Sequence, residues 1–163
     1  ISFLRFSRAC SICLRTCSDT LYNGYKENGA AYLLDDNSQT YFEPGLTSSA
    51  QVIEVEFDMQ EPTLIHGFKV VQPAPETQTD LEYLLASVKI EVSDNSIVWE
   101  DATYETGGIL IGDAPGESTF IYIPEVLQRP VRYVRLTMAN RQVNATSEGT
   151  ILFSLRLADV IPF

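Results

Sequence analysis

The sequence predicts an all-β protein, an antiparallel jelly-roll β-sandwich of about eight strands. Segments in which apolar and polar residues alternate recur along the chain, and this period-two pattern is typical of half-buried antiparallel strands. Turn signals rich in Gly, Pro, Asn and Asp separate these segments at intervals of roughly 8–15 residues. Patterns typical of amphipathic helices are almost absent, so a helical or mixed architecture is disfavoured.

Eight strands are predicted in chain order, each bounded by turn-forming residues. They are Ala30–Leu34, Gln51–Asp58, Leu64–Val71, Ser87–Ser93, Val98–Tyr104, Thr119–Ile123, Val131–Met138 and Thr150–Val160. Ser87–Ser93 shows the alternation most clearly, with three β-branched residues on one face and polar residues on the other. Residues 1–29 are predicted to be an N-terminal leader that carries the cysteines, and residues 30–163 to be the sandwich domain.

Length and charge restrict the class of protein. A chain of 163 residues with 45% hydrophobic residues is long enough for one domain with its own core. The net charge is −11, and the acidic groups lie almost entirely beyond the first 29 residues. Such a surface would repel a phosphate backbone, so nucleic acid is excluded as a predicted partner and an anionic membrane is disfavoured. No apolar run approaches the roughly 18–20 residues that span a bilayer.

The three cysteines lie close together, at Cys10, Cys13 and Cys17, and the residues that follow contain none. A disulfide between two of them, or with a cysteine of another segment or chain, is the favoured interpretation and indicates an extracellular protein. A zinc site is the alternative, because Cys-x-x-Cys is a common half-site, but a fourth ligand is missing nearby. The sequon Asn144-Ala145-Thr146 predicts N-glycosylation of Asn144, which agrees with secretion.

Sequence signatures of catalysis are missing. The chain has no nucleophile elbow, phosphate-binding loop or His-Glu metal motif, and His66 is its single histidine. His66 lies in a predicted apolar strand and is expected to be buried and hydrogen-bonded. We therefore expect a protein that binds a ligand and is not an enzyme.

Six segments, taken in order, resemble the discoidin or coagulation factor 5/8 type C superfamily. They are Ala31–Tyr41, Val52–Asp58, Ile65–Val70, Lys89–Trp99, Val131–Leu136 and Phe153–Leu157. The resemblance covers roughly residues 30–161 and implies a galactose-binding-like jelly roll, with Trp99 in the core. Members of this superfamily are mostly secreted or cell-surface proteins. They bind sugars, phospholipids, collagen or other proteins through loops at one end of the sandwich.

Calcium is the cofactor that the resemblance suggests. Many sugar-binding relatives hold a structural calcium near the first turn, with help from a glutamate of the closing strand. The first turn of this chain offers hard oxygen ligands, which suit calcium: Asp35, Asp36, Asn37 and Thr40. Ser154 is assigned to the place of the glutamate. An Asx turn that stabilises its own backbone is the alternative reading of the same residues.

The ligand-binding residues are predicted in loops that gather at one end of the sandwich. Tyr41 replaces the tryptophan that is common in the family, and together with Tyr83 it supplies aromatic faces against which a sugar ring can lie. Polar contacts are assigned to Glu43, Gln72, Glu82, Arg141 and Asn144. A carbohydrate or another cell-surface ligand is therefore the leading prediction.

The alternative function is structural. In this interpretation the chain is an assembly or adhesion module whose partner is another protein chain or a second copy. The partner would be contacted through the sheet faces or through the cysteine-bearing N-terminal segment. A fucose-type site is not predicted, because the histidine and arginine spacing of fucose-binding relatives is missing. A lipid-binding spike around Leu84 is not predicted either, because its flanks are acidic.

Overall fold

The strands of the computed structural model form two packed β-sheets and a short separate hairpin. The structure describes residues 13–17, 30–43, 52–74, 84–105, 108–140, 144–145, 151–152 and 156–163. All strand pairs in these residues are antiparallel. The predicted all-β antiparallel sandwich is therefore confirmed. No helix in this part of the chain is long and apolar enough to cross a bilayer.

The described residues contain eleven strands, seven of them with four or more residues. They are β1 (Cys13–Cys17), β2 (Val52–Leu64), β3 (Gly67–Val71), β4 (Leu85–Ser93), β5 (Glu100–Asp101), β6 (Ile109–Leu110), β7 (Ser118–Tyr122), β8 (Pro130–Asn140), β9 (Asn144–Ala145), β10 (Ile151–Leu152) and β11 (Asp159–Pro162). The main sheet has the order β1-β2-β8-β4-β5, with β6 also paired to β4. The minor sheet has the order β11-β3-β7, and β9 and β10 form the hairpin.

The register of the main sheet is fixed by what its inner face buries. Val55 of β2 and Ile90 of β4 both lie opposite Leu136 of β8, and all three side chains are buried. Burying a side chain of this size contributes about 1.5–3 kcal/mol. A slip of one residue would turn every buried side chain of a strand to solvent, so the alternation read from the sequence specifies this pairing.

One core serves both sheets. The inner face of the minor sheet contributes Phe68, Val70, Ile121 and Val160 to the same hydrophobic cluster as the inner face of the main sheet. Both faces of that core are therefore closed by strands.

One end of the sandwich gathers several connecting segments and is called the loop end below. Residues 35–43, 72–74 and 111–117 lie there, beside the start of β4. Backbone hydrogen bonds join them: Ala74 N–H donates to the Ser38 carbonyl (2.9 Å) and Gly116 N–H to the Pro73 carbonyl (2.7 Å). The first turn of the chain is thus held against the loop that follows β3.

Some predicted strand boundaries are wrong. Ala30–Leu34 is a 3-10 helix that buries Leu33, because its Ala and Leu residues favour helical over extended backbone. β2 continues past its predicted end at Asp58, through an irregularity in which Gln60 adopts a φ of 70°. Three other predicted strands are shorter or divided in the structure: Leu64–Val71, Val98–Tyr104 and Thr150–Val160. Within Val98–Tyr104 only Glu100–Asp101 forms a strand, β5.

Trp99 and His66 lie outside the core, so both predicted placements are wrong. Trp99 is half-buried on the outer face of the main sheet, where Cζ of Arg135 is 4.3 Å from the ring centroid. The turn before it explains the difference. Asn95 Oδ1 accepts two backbone N–H groups of that turn, which ends the strand alternation before Trp99 is reached. His66 is exposed, and its Nδ1 lies 2.9 Å from Gln128 Oε1.

Part of the predicted leader belongs to the main sheet. β1 is an edge strand and pairs with β2, with Cys13 opposite Asp58 and Cys17 opposite Val55. Residues 1–12 and 18–29, which include Cys10, lie outside the described residues. The predicted domain boundary at residue 29 stays a prediction.

We predict that Cys13 and Cys17 are not disulfide-bonded to each other. Four residues of extended strand place their Cα atoms about 13 Å apart, whereas a disulfide requires about 7 Å or less. Peptide mapping by mass spectrometry without reductant should link one of them to Cys10 or to another chain, or find both as thiols. A peptide cross-linked between Cys13 and Cys17 would contradict the placement of β1.

Candidate functional site

The candidate site is built on one backbone bridge at the loop end. Phe42 N–H donates to the Leu157 carbonyl (2.8 Å), and Leu157 N–H donates to the Phe42 carbonyl (3.1 Å). Both side chains are fully buried in the core. Because neighbouring residues of extended backbone face opposite sides, Tyr41, Glu43 and Arg156 are turned away from the core. All three are partly exposed.

Arg156 contacts both of the other side chains, and the three are called the Tyr41–Glu43–Arg156 cluster below. Arg156 Nε donates to Glu43 Oε1 at 3.0 Å, and the two side chains are each 22% exposed. Cζ of Arg156 lies 5.0 Å from the Tyr41 ring centroid, a distance typical of a cation–π contact. The cluster therefore combines an aromatic ring, guanidinium donors and a carboxylate acceptor. Tyr41 and Glu43 were predicted site residues, whereas Arg156 was not.

The first turn, residues 35–40, is held by Asx hydrogen bonds. From the sequence, such an Asx turn was the alternative to a calcium site. Asn37 N–H donates to Asp35 Oδ1 (3.1 Å), and the Thr40 hydroxyl donates to Asp35 Oδ2 (2.6 Å). Gln39 N–H donates to Asn37 Oδ1 (3.1 Å). Asp36 adopts a φ of 55°, which Asp tolerates better than most residues. The turn is thus held by its own side chains and leads directly into Tyr41.

Asp159 is a site residue that sequence reasoning missed. It belongs to β11, is only 2% exposed, and its Oδ1 accepts the Asp36 N–H at 2.9 Å. Burial, together with the negative charge of Asp35, raises the pKa of Asp159 to about 6. Ser154 was assigned to the closing-strand position near this turn, but Ser154 lies outside the described residues. The signal for Asp159 was a single carboxylate in the segment 157–163, whose other residues are all apolar.

Side-chain ligands alone do not form a metal centre in the described part of the chain. No group of three or more His, Cys, Asp or Glu residues there is arranged to hold a metal ion. The oxygen atoms of the first turn and of Asp159 are nevertheless the type that calcium prefers. A calcium ion at this turn would also need main-chain carbonyl oxygens as ligands.

Gln72 is buried and does not face a ligand, so its predicted role disagrees with the structure. Its Nε2 donates to the carbonyls of Leu85 and Gly112, both at 2.9 Å, and its Oε1 accepts the Leu85 N–H at 3.3 Å. These bonds satisfy backbone groups that the core would otherwise leave unpaired. Gln72 therefore joins the loop after β3 to the start of β4 and supports the loop end from inside.

The structure does not describe the side chains of the other residues that were predicted to contact a ligand. Glu82, Tyr83 and Arg141 lie outside the described residues. Asn144 is described only as backbone, in β9. Their predicted roles, and the predicted glycosylation of Asn144, stay predictions.

Comparison with known proteins identifies the fold. No family model and no curated protein matches the chain. Among solved structures, an F5/8 type C domain from Bacteroides fragilis is 15% identical, with a TM-score of 0.67 over 93% of this chain and 90% of that domain. CpGH89CBM32-5 from Clostridium perfringens, solved in complex with GalNAc-β-1,3-galactose, is 11% identical, with a TM-score of 0.65 over 92% of this chain and 94% of that module.

A larger protein matches over one part only. A mutant GH29 fucosidase from Ruminococcus gnavus, solved in complex with fucose, is 15% identical with a TM-score of 0.65. That match covers 96% of this chain but 26% of the fucosidase. These likenesses confirm the predicted fold: the chain has the β-sandwich fold seen in the F5/8 type C domain and in the CBM32 module.

We predict that Asp159→Asn changes how stability depends on pH. The folded protein holds the Asp159 proton more tightly than the unfolded chain does, because its folded pKa of about 6 lies above the ordinary 3.8. The stability that this proton contributes is complete below the ordinary pKa and is lost as the pH rises through about 6. Thermal melts in chelator should therefore show wild type losing on the order of 2 kcal/mol relative to Asp159→Asn between pH 4 and 7.

The asparagine keeps an oxygen that can accept the Asp36 N–H, so the variant should fold. Asp113→Asn, in an exposed loop, controls for the loss of one negative charge. A constant difference in melting temperature between wild type and Asp159→Asn across this pH range would contradict the buried, proton-holding state of Asp159.

Proposed function

We propose that this chain, with the β-sandwich fold of F5/8 type C domains, is a non-catalytic carbohydrate-binding module. Its saccharide would lie at the Tyr41–Glu43–Arg156 cluster. The observation that carries the proposal is the contact of a ring, a guanidinium and a carboxylate at the loop end of the sandwich. A solved neighbour of the same fold holds a disaccharide, which supports the same class of ligand.

The cluster has the chemistry that a sugar requires. The apolar C–H face of a pyranose packs against an aromatic ring, and Tyr41 offers one that is partly exposed. Adjacent hydroxyls can accept from guanidinium N–H groups and donate to a carboxylate, which Arg156 and Glu43 provide. The ion pair between them at 3.0 Å holds both side chains before a ligand arrives. Less side-chain entropy is then lost on binding.

Binding without catalysis is the form of the proposal that the cluster supports best. Glycoside hydrolysis uses two carboxyl groups that flank the scissile bond. Glu43 is the described carboxylate of the cluster, and it is engaged with Arg156. A glycan ligand also favours an extracellular or cell-surface location for the protein, as the clustered cysteines and the sequon suggest.

We also propose that calcium stabilises the first turn. Asp35, Asp159 and Thr40 would supply side-chain oxygens, and the turn around Asp36 and Asn37 would supply main-chain carbonyls. Two carboxylates near each other, one of them buried, repel each other, and a divalent cation would remove that repulsion. The bound ion would supply charge neutralisation and rigidity to the turn that leads into Tyr41.

We predict that Arg156→Ala weakens glycan binding while Arg132→Ala preserves it. The two arginines are matched: each pairs with a carboxylate within 3.0 Å and lies over a tyrosine ring at 5.0–5.1 Å. Arg132 lies instead on the outer face of the main sheet, beside Asp58. A glycan array followed by calorimetry on the strongest neutral hit should show a loss of at least about tenfold in affinity for Arg156→Ala.

Equal effects of the two arginine substitutions would exclude the cluster as the site. No signal on the array, together with oligomers that dissociate on reduction, would favour the assembly function instead. In that case β1, which carries Cys13 and Cys17 at the edge of the main sheet, would be the segment that joins two chains.

We predict that calcium raises the melting temperature of the wild type and has little effect on Asp159→Asn. At a calcium concentration about 100-fold above its Kd, binding adds about 2.7 kcal/mol. For a domain of this size that corresponds to roughly 5–10 °C. Differential scanning calorimetry with calcium and then with chelator measures the shift, and Asp113→Asn is the charge control. Equal melting temperatures of the wild type in both solutions would contradict the calcium proposal.

A further inference from the structure

A second surface of the protein combines exposed aromatic rings with a cation. On the outer face of the minor sheet, Phe120 and Tyr122 of β7 are 54% and 69% exposed. The ring of Phe163 lies beside both, with centroid distances of 6.1 Å to Phe120 and 5.6 Å to Tyr122. Large aromatic side chains grouped on an outer sheet face are unusual for a protein surface without a partner.

Backbone structure holds this surface in place. Gly67 of β3 lies opposite Tyr122, and a Cβ on Gly67 would come within 2.6 Å of Phe163 Cζ. Glycine is therefore the residue that lets the Phe163 ring lie across the sheet. The Phe163 carbonyl accepts the Gly67 N–H at 3.1 Å, and Phe163 N–H donates to the Gly67 carbonyl at 3.0 Å. The rings are thus positioned before any ligand binds.

Lys69 occupies the next position on the same face. It lies opposite Phe120 of β7 on one side and Ile161 of β11 on the other. We call Lys69, Phe120, Tyr122, Ile161 and Phe163 the Lys69 surface. Neighbouring residues of the same strands, such as Phe68 and Ile121, point to the opposite face and are buried in the core.

Within the described residues, Lys69 differs from the other basic side chains because it forms no ion pair with a carboxylate. Five basic side chains of the described residues pair with a carboxylate at 3.2 Å or less: Lys89, Arg129, Arg132, Arg135 and Arg156. No ion pair joins Lys69 to a carboxylate within the described ranges, although the chain carries an excess of acidic groups. A ligand that covers Lys69 would therefore have to bring the negative charge itself, because burying an unpaired ammonium is unfavourable.

We propose that the Lys69 surface binds a saccharide chain that carries carboxylates, such as a chain of uronic acids. The pyranose rings would lie against Phe120 and Tyr122, and a carboxylate would pair with Lys69. A nucleic acid has the same two features but a far higher charge density, which the net charge of −11 opposes. Repulsion between distant acidic groups and a polyuronate is screened beyond about 8 Å at physiological salt.

The surface is separate from the Tyr41–Glu43–Arg156 cluster. The cluster lies at the loop end, whereas Gly67, Tyr122 and Phe163 lie at the start of β3 and the end of β7, towards the opposite end of the sandwich. The proposal for the Lys69 surface therefore stands or falls independently of the proposed function.

The test compares charged and neutral forms of the same sugar. Calorimetry is carried out with tetragalacturonate and with its methyl ester, and tetramannuronate provides a second ring configuration. Wild type should bind at least one of the two acids about tenfold more tightly than the methyl ester. Lys69→Gln should remove that preference, and Phe120→Ser should weaken binding of both forms. Arg156→Ala should leave the preference unchanged.

Tyr104→Ser is the matched control, because Tyr104 is an exposed aromatic residue (68%) on another part of the surface. It should bind like the wild type. Thermal melts of each variant verify folding, since all the substituted side chains are at the surface. The proposal is overturned if wild type binds neither acid at concentrations up to about 10 mM. It is also overturned if Lys69→Gln keeps the full preference for the acid, or if Arg156→Ala abolishes it.

Discussion

The candidate site depends on the antiparallel bridge between Phe42 and Leu157. Two backbone hydrogen bonds of 2.8 and 3.1 Å join these residues, and both side chains are fully buried. Each bond contributes about 1 kcal/mol, and each buried side chain about 1.5–3 kcal/mol. The bridge is therefore stable enough to fix which way the neighbouring residues face. This bridge sets the register in which Tyr41 and Glu43 of one segment lie beside Arg156 of the other.

The arrangement of charges distinguishes the scaffold from the two surfaces that are proposed to bind saccharide. Most described basic side chains are held in ion pairs, as in the Lys89–Glu91–Asp101 group on the outer face of the main sheet. In the proposed site the ion pair would hold donors and acceptors in place for sugar hydroxyl groups, whereas Lys69 forms no ion pair within the described residues. Two such surfaces on one small domain would let it engage a long or branched saccharide at two points. Linked contacts of that kind strengthen binding without any increase in the affinity of either one.

Much of the fold follows from the sequence, because strand alternation is a local property. In Ser87–Ser93 each residue's own type indicates its face, and the register with β8 agrees with that pattern. Trp99 was misplaced because the Asn95 turn ends the alternation within a few residues. A local turn of this kind changes which face of the sheet the following side chains point to. The pattern of apolar and polar residues in the sequence does not show that change.

The candidate site was predicted only in part, because its contacts are distant in sequence. Glu43 and Arg156 are 113 residues apart, and Asp36 and Asp159 are 123 residues apart. Tyr41 and Glu43 follow a turn with a strong local sequence signature. Their residue types and their position after that turn were sufficient to predict them as site residues. Arg156 and Gln72 lack such a signature. The burial of Gln72 depends on backbone carbonyls 13 and 40 residues away, which no local pattern reveals.

The central claim is that a saccharide contacts the Tyr41–Glu43–Arg156 cluster. The most direct measurement is a nitrogen-15 NMR titration with a neutral oligosaccharide that observes the arginine Nε–H signals. The Arg156 Nε–H signal should shift progressively and saturate together with the Tyr41 and Phe42 amide signals, while the Arg132 Nε–H signal stays in place. An unshifted Arg156 signal at a saturating concentration of a saccharide that binds would contradict the account.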